Sequence, residues 1–141
     1  MSSSAMRIRL GQYLQRQPSL VWPLCYMLGI LGVSSIPGVA PIDAPHTYQL
    51  LAWVPPAIQN LLHIPVYAGL AVLWCWYLSS RASELWAWVL SFVVTALFGA
   101  LDEYYQYHIP GRYASLTDVL FNVLGAGLGV WFFWWLIRLS R

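Results

Sequence analysis

Four apolar segments, separated by shorter stretches that carry most of the polar residues and prolines, set the pattern of this chain. They cover about residues 20–36, 57–78, 85–105 and 117–137. A hydrocarbon core about 30 Å thick takes about 20 apolar residues to cross as an α-helix, so each segment is predicted to be one membrane span. The turn around Arg81 is too short for anything but a helical hairpin. The predicted fold is therefore an all-α membrane protein with four transmembrane helices in an antiparallel bundle.

Composition favours a membrane protein over a soluble one. The chain is 60% hydrophobic and 9% charged, whereas a soluble domain carries about 25% charged residues. Its nine tryptophans and nine tyrosines are typical of helices that end at membrane interfaces. The net charge of +2 is dispersed along the chain, which argues against nucleic acid as a partner. Membrane lipids are the expected surroundings.

Arginine placement predicts how the helices are oriented. The outer loop after the third segment holds Arg112, and the other six basic residues fall on the opposite side of the predicted membrane. These six are Arg7, Arg9, Arg16, Arg81, Arg138 and Arg141. The positive-inside rule then places residues 1–19 and 138–141 in the cytoplasm as the two terminal tails. A signal peptide is the alternative for the first apolar segment, but the nearest small-residue cleavage candidate is followed by proline.

Polar residues gather where three of the predicted helices end on the outer side. Two acids end the third segment, Arg112 follows in the loop, and an acid and an amide begin the fourth, while a histidine lies near the outer start of the second. The polar residues of these helix ends are His63, Tyr67, Asp102, Glu103, Gln106, Asp118 and Asn122. A charge at the bilayer centre costs about 2.5–3.5 kcal/mol on insertion scales. The cluster therefore predicts a functional polar site, with a purely structural network as the alternative.

Helical spacing adds detail to this cluster. Gln106 is three residues from Glu103 and four from Asp102, so it can share a face with either acid. Asp118 and Asn122 are four apart and lie on one face. Asp102 and Glu103 point about 100° apart. We expect Glu103 to face the bundle and Asp102 to face the lipid headgroups.

Glycines continue the face of the fourth helix that carries Asp118 and Asn122. Gly125, Gly127 and Gly129 are predicted to allow close approach of a neighbouring helix, since small residues let transmembrane backbones come near each other.

The residue types in the cluster allow acid–base chemistry and anion binding. His63 and Glu103 are candidate general bases, and Asp118 can orient the histidine, so these three are the candidate catalytic residues. Arg112 can hold a phosphate through two hydrogen bonds. No cofactor is predicted, but oxygen atoms of Glu103, Asp118 and Asn122 would suit Mg²⁺ or Ca²⁺, and no spacing decides for or against a metal.

The cluster resembles the VanZ-like family of small membrane proteins, named for a teicoplanin-resistance protein. The motifs that carry the resemblance are Ser35-x-Pro37, His63-x-x-x-Tyr67, Glu103-x-x-Gln106, Pro110-Gly111-Arg112, Asp118-x-x-x-Asn122 and Gly125. The family often has an Asp-Lys pair shortly before the histidine, where this chain has Gln59 and Asn60, so two charges of the family's pattern are missing here.

The resemblance implies a bacterial inner-membrane protein linked to glycopeptide tolerance or cell-envelope functions. Three hypotheses follow for the polar cluster. The first is an enzyme that acts on a lipid-linked or envelope substrate, the second is a non-catalytic binder of a lipid headgroup, a glycopeptide's fatty-acyl tail or a partner membrane protein, and the third is a structural module that fixes helix packing. Tyr67, Gln106, Arg112 and Asn122 are the candidate substrate-binding residues. His46 and His108 have no assigned role.

Overall fold

The computed structural model describes residues 18–37 and 56–140, and this part of the chain is helical, as the sequence predicts. Its helices are α1 (Val21–Ser34), α2 (Pro56–Ser79), α3 (Glu84–Gln106) and α4 (Leu116–Ser140). Each corresponds to one of the four apolar segments. The N-terminal tail and most of the loop between α1 and α2, including His46, lie outside the described residues.

Three of the described helices are long and apolar enough to cross a membrane, namely α2, α3 and α4. The first helix differs from the others because it has 14 residues. At a rise of 1.5 Å per residue it extends about 21 Å, less than the hydrocarbon core of about 30 Å. The predicted apolar helix at residues 20–36 is therefore present, but it is shorter than a full membrane span.

Close packing between α2 and α4 depends on two glycines of α4. A Cβ atom added at Gly125 would lie 2.5 Å from the carbonyl oxygen of Ile64, and one at Gly129 would clash with the carbonyl oxygen of Ala68. A Cβ at Gly127 would meet nothing closer than the ring of Phe92, at 3.9 Å. The close packing predicted for the three glycines therefore holds for Gly125 and Gly129, while Gly127 points elsewhere.

One face of α3 carries small and polar residues that are buried against the other helices. They recur at intervals of three or four residues, and they are Ala87, Ser91, Thr95, Gly99, Asp102, Glu103 and Gln106. The contacts of this face pair later residues of α3 with earlier residues of α4, since Gly99 lies against Asn122 and Gly127 faces Phe92. The C-terminal end of α3 therefore meets the N-terminal end of α4, where the charged residues are.

Candidate functional site

The seven candidate catalytic and substrate-binding residues named from the sequence lie in one layer of the protein. The layer is formed by the C-terminal end of α1, the first half of α2, the last turns of α3, the loop after it and the first turns of α4. We call this set the polar layer, and its members are Ser34, His63, Tyr67, Asp102, Glu103, Gln106, Arg112, Asp118 and Asn122. Contacts within it join residues up to 72 positions apart.

Asp102 is the centre of one half of the polar layer. Its Oδ2 atom accepts hydrogen bonds from Ser34 Oγ at 2.9 Å, Tyr67 OH at 3.0 Å and Gln106 Nε2 at 3.0 Å. Asp102 is only 1% exposed. These four residues form the Asp102 network, which ties α1, α2 and α3 together. The expectation that Asp102 faces the headgroups is wrong.

Both acids at the end of α3 point into the protein because neighbours surround this end of the helix on more than one side. Glu103 is 3% exposed, as expected. Side chains about 100° apart can both be buried when one lies towards α1 and α2 and the other towards α2 and α4. The signal in the sequence was the recurrence of Ala87, Ser91, Thr95 and Gly99, whose face Asp102 and Glu103 straddle.

Arg112 binds the end of α1 instead of projecting freely from its loop. Its Nε donates to the carbonyl oxygen of Ile36 at 3.0 Å, one Nη to that of Val33 at 3.0 Å, and the other to Gln106 Oε1 at 3.3 Å. The last carbonyl groups of a helix lack partners within the helix. The guanidinium binds one of these, that of Val33, and the carbonyl group of Ile36 just beyond the end of α1. Gly111, with φ at 75°, forms the turn that precedes it.

This arrangement changes the role expected of Arg112. Three of its N–H groups are used on protein acceptors, and within the described residues no carboxylate lies close enough to form an ion pair with it. Its first function is therefore to fasten α1 to the polar layer. The phosphate contact expected from the sequence would have to use the N–H groups that remain.

The ring of His63 is held by an amide of α4. His63 Nδ1 lies 2.8 Å from Asn122 Oδ1, and Asn122 Nδ2 donates to the carbonyl oxygen of Gly99 at 3.2 Å. Because the Gly99 carbonyl can only accept, the amide of Asn122 is oriented with its oxygen towards the histidine. Nδ1 therefore carries the shared proton. The His63 ring also stacks on Tyr67, with centroids 6.2 Å apart.

Two acids lie beside this histidine, and they are tied less firmly than Asp102. Glu103 Oε1 is 3.7 Å from His63 Nδ1, and Glu103 accepts only long hydrogen bonds of 3.4 Å, from Gln106 Nε2 and from the backbone N–H of Ser115. Asp118, 7% exposed, has a buried Oδ1 atom with no hydrogen-bond partner among the described residues.

The second half of the polar layer is thus a cluster of three side chains from three helices. One ligand-type atom from each of His63, Glu103 and Asp118 lies within 4.8 Å of the others. We call these residues the open cluster, because the His63 side chain remains 18% exposed. The two carboxyl groups also lie at the N-terminal end of α4, where the helix dipole favours negative charge.

The polar layer contains more acid than base. Its carboxyl groups are those of Asp102, Glu103 and Asp118, and Arg112 is its only fixed cation among the described residues. Removing a carboxylate from water is costly unless it is paired or fully hydrogen-bonded. Asp102 meets that condition on Oδ2 through three donors, but its buried Oδ1 has no partner among the described residues, and the carboxyl groups of the open cluster are bonded less completely still.

Comparison with known proteins supports a family but no closer relative. The family model described as VanZ/LLP1 matches residues 13–138. No curated protein and no solved structure matches the chain. The matched range covers α1, α2, α3, all but the last two residues of α4, and every member of the polar layer. The chain is therefore a VanZ-like membrane protein and belongs to the VanZ/LLP1 family.

Proposed function

We propose that the chain is a four-span protein of the bacterial inner membrane that binds an envelope lipid or glycopeptide at its open cluster and acts on it there. In this proposal the helices form an antiparallel bundle and both termini are cytoplasmic. The polar layer then faces the outside, since it lies at the end of the bundle opposite Arg81 and Arg138. Family membership supports the membrane location.

The observation that carries the proposal is the incomplete bonding of the open cluster. Structural polar groups inside a membrane protein are normally satisfied by their neighbours. Here Asp118 Oδ1 is buried without a hydrogen-bond partner among the described residues, and beside it the His63 ring is accessible. A headgroup that donates hydrogen bonds or carries an ammonium group would satisfy these atoms. Ionisable residues inside a membrane that lack partners are functional candidates for this reason.

An apolar groove between α2 and α4 offers a place for the chain of such a ligand. It has a volume of about 490 Å³ and is open to the outside of the bundle; its lining includes Pro65, which points to nearly the opposite side of α2 from His63. Its lining includes Pro65, Ala68, Gly69, Val72, Leu128 and Gly129. A ligand with a polar head and an acyl or prenyl tail would match this combination of a polar cluster and a neighbouring apolar groove.

The chemistry available at the cluster is proton transfer. His63 and Glu103 are the candidate bases, and Asp118 would hold the developing positive charge of the histidine. Tyr67, Gln106 and Asn122 orient these groups in the structure. A protein that binds the ligand without converting it would use the same residues. Only the formation of product therefore distinguishes an enzyme from a binding protein.

The test uses purified full-length protein and labelled lipid-linked envelope precursors, with a lipoglycopeptide in a second series. We expect binding to be lost in His63→Ala and Glu103→Gln and retained in the matched controls His108→Ala and Glu84→Gln, which lie outside the polar layer. Product formation that disappears in the same two variants would make the protein an enzyme. Equal binding by all four variants would refute the site.

The second candidate function is a structural module whose polar layer only fixes helix packing. The Asp102 network and the Arg112 contacts favour it, because they join helices and are largely satisfied within the protein. On this reading, His63→Ala and Glu103→Gln lower thermal stability and leave both ligand binding and glycopeptide susceptibility of the cell unchanged.

Orientation is tested separately by cysteine labelling. Cys25 and Cys75 are first replaced, and single cysteines are then placed at Ala114, beside the polar layer, or at Ser83, in the opposite turn; both positions are exposed. A membrane-impermeant reagent added to intact cells should label the cysteine at 114 and leave the one at 83 unlabelled. The reverse pattern would contradict an outward-facing site.

A further inference from the structure

We propose that His63, Glu103 and Asp118 form a binding site for one divalent transition-metal ion, of the Zn²⁺ or Mn²⁺ class. The proposal goes beyond the lipid-binding function and does not depend on it. It rests on the separation of the ligand atoms, an unpartnered buried oxygen, the balance of charge and the mixture of nitrogen and oxygen donors.

The separations fit a common coordination sphere. Metal–ligand bonds of about 2.0–2.2 Å place two ligands on opposite sides of an ion about 4.4 Å apart, and neighbouring ligands about 3 Å apart. The three candidate atoms all lie within 4.8 Å of one another, and His63 Nδ1 is 3.7 Å from Glu103 Oε1. Side-chain movements of roughly 1 Å would bring the three atoms to the separations of ligands on one ion.

Asn122 is suited to be a fourth ligand. Its Oδ1 atom is 2.8 Å from His63 Nδ1, close to the separation of neighbouring ligands on one ion. The hydrogen bond that Asn122 Nδ2 donates to the Gly99 carbonyl keeps Asn122 Oδ1 directed at the histidine. An ion bound at Nδ1 would replace the proton that the histidine otherwise shares with Asn122.

Asp118 supplies an independent sign that something is bound here. Its residue is 7% exposed, and its buried Oδ1 has no hydrogen-bond partner among the described residues. Asp118 belongs to the group whose ligand atoms converge. Placing a carboxylate at this position is costly without a cation or a donor, and a metal ion would compensate for it.

Charge balance points to a divalent ion in particular. The polar layer holds three carboxyl groups, those of Asp102, Glu103 and Asp118, against one guanidinium, that of Arg112. With all of these groups ionised and the histidine neutral, two negative charges remain. A divalent cation would neutralise them without requiring any other residue.

The donor set selects the class of metal. Mg²⁺ and Ca²⁺ prefer oxygen ligands throughout, whereas an imidazole nitrogen among carboxylate oxygens suits Zn²⁺, Fe²⁺ or Mn²⁺. His63 therefore shifts the expectation away from the Mg²⁺ or Ca²⁺ site that the oxygen ligands alone would predict. Three or four protein ligands leave coordination positions open for water or for a phosphate oxygen, as in catalytic sites.

The supporting contacts are those that a metal site needs around its ligands. Ser115 N–H and Gln106 Nε2 both contact the Glu103 carboxylate, and the ring of Tyr67 stacks on His63. Such outer contacts orient ligands, and removing one commonly lowers metal affinity about 10–100-fold.

The experiment titrates chelator-treated, full-length protein in detergent with Zn²⁺, Mn²⁺ and Mg²⁺, using a purification tag without histidine. Calorimetry should show one Zn²⁺ or Mn²⁺ per chain and at least about tenfold weaker binding of Mg²⁺. Glu103→Gln and Asp118→Asn should each lose at least about tenfold in affinity. Glu84→Gln and His108→Ala are the matched controls and should bind as the wild type does.

A measurement on the unaltered protein guards against variants that fail to fold. Pulsed electron paramagnetic resonance of bound Mn²⁺ should show coupling to an imidazole nitrogen, and the coupling should persist in His108→Ala. Absence of Zn²⁺ and Mn²⁺ binding up to millimolar concentration would overturn the proposal. Bound Mn²⁺ without nitrogen coupling would overturn it as well. So would Glu103→Gln and Asp118→Asn variants that bind the metal as tightly as the wild type does. Lipid binding without metal binding would be consistent with the proposed function and would refute the metal site.

Discussion

Replacing Gly125 with alanine should loosen α2 from α4 and disturb the polar layer, whereas the same change at Gly127 should do neither. A Cβ at position 125 would lie 2.5 Å from the carbonyl oxygen of Ile64, and ordinary contact begins at 3.4 Å. The two helices would have to separate by roughly 0.9 Å at this level, an overpacking that the backbone of α2 resists. At position 127 the nearest atom, in the ring of Phe92, is 3.9 Å away.

The magnitude follows from comparing the two variants. Each gains the helix propensity of alanine over glycine, about 1 kcal/mol, so this contribution cancels in the difference. Overpacking typically costs about 1–3 kcal/mol. We therefore expect Gly125→Ala to be less stable than Gly127→Ala by about 1–3 kcal/mol, measured by thermal unfolding in detergent and followed by circular dichroism.

The same displacement should reach the open cluster, because Ile64 directly follows His63 in α2. A movement of roughly 0.9 Å would lengthen the 2.8 Å contact between His63 Nδ1 and Asn122 Oδ1 beyond hydrogen-bonding distance. Gly125→Ala should therefore weaken ligand and metal binding, while Gly127→Ala binds normally. Equal stability and equal binding in the two variants would refute the reasoning that this contact sets the geometry of the site.

Three further substitutions separate the two halves of the polar layer. Tyr67→Phe removes one of the three donors to Asp102 and should lower the free energy of unfolding by about 1.5–3 kcal/mol, as read from thermal unfolding, while metal binding persists. Arg112→Lys should weaken the end of α1, because lysine cannot reproduce the three directed hydrogen bonds; faster hydrogen exchange around Val33 would show it, and unchanged exchange would contradict it. Asp118→Asn should raise the stability of metal-free protein by about 1 kcal/mol or more, since it removes a buried charge that lacks a partner; a lower melting temperature in chelator would count against this account.

The helices and the location of the polar residues were predictable because each depends on local sequence. Apolar runs of sufficient length define α2, α3 and α4, and connecting them in sequence brings His63, Glu103 and Asp118 to one level. The length of α1 was less predictable, since the helix covers only residues 21–34 of the span predicted at 20–36.

The direction of each polar side chain was harder to predict, because it depends on which helices surround it. The position of Asp102 follows from Ser34 and Tyr67, which lie 68 and 35 residues away in the sequence. Two of the three partners of Arg112 are backbone carbonyls, and no residue type at Val33 or Ile36 marks them as acceptors. Residue identity therefore indicates that a charge needs a partner, while only the tertiary structure shows which partner it has.

The division of the polar layer explains how a small, apolar protein can contain three buried carboxyl groups. Asp102 accepts three hydrogen bonds on Oδ2 and joins three helices, so it contributes to stability, while its buried Oδ1 has no hydrogen-bond partner among the described residues. The open cluster differs in that its histidine is accessible and its acids accept fewer and longer hydrogen bonds; an oxygen of its aspartate is also unpartnered among the described residues. Buried charge without a partner lowers stability. The binding role proposed for the open cluster accounts for the cost of keeping such a group, and the close approach of Gly125 to Ile64 holds together α2 and α4, which supply two of its three residues.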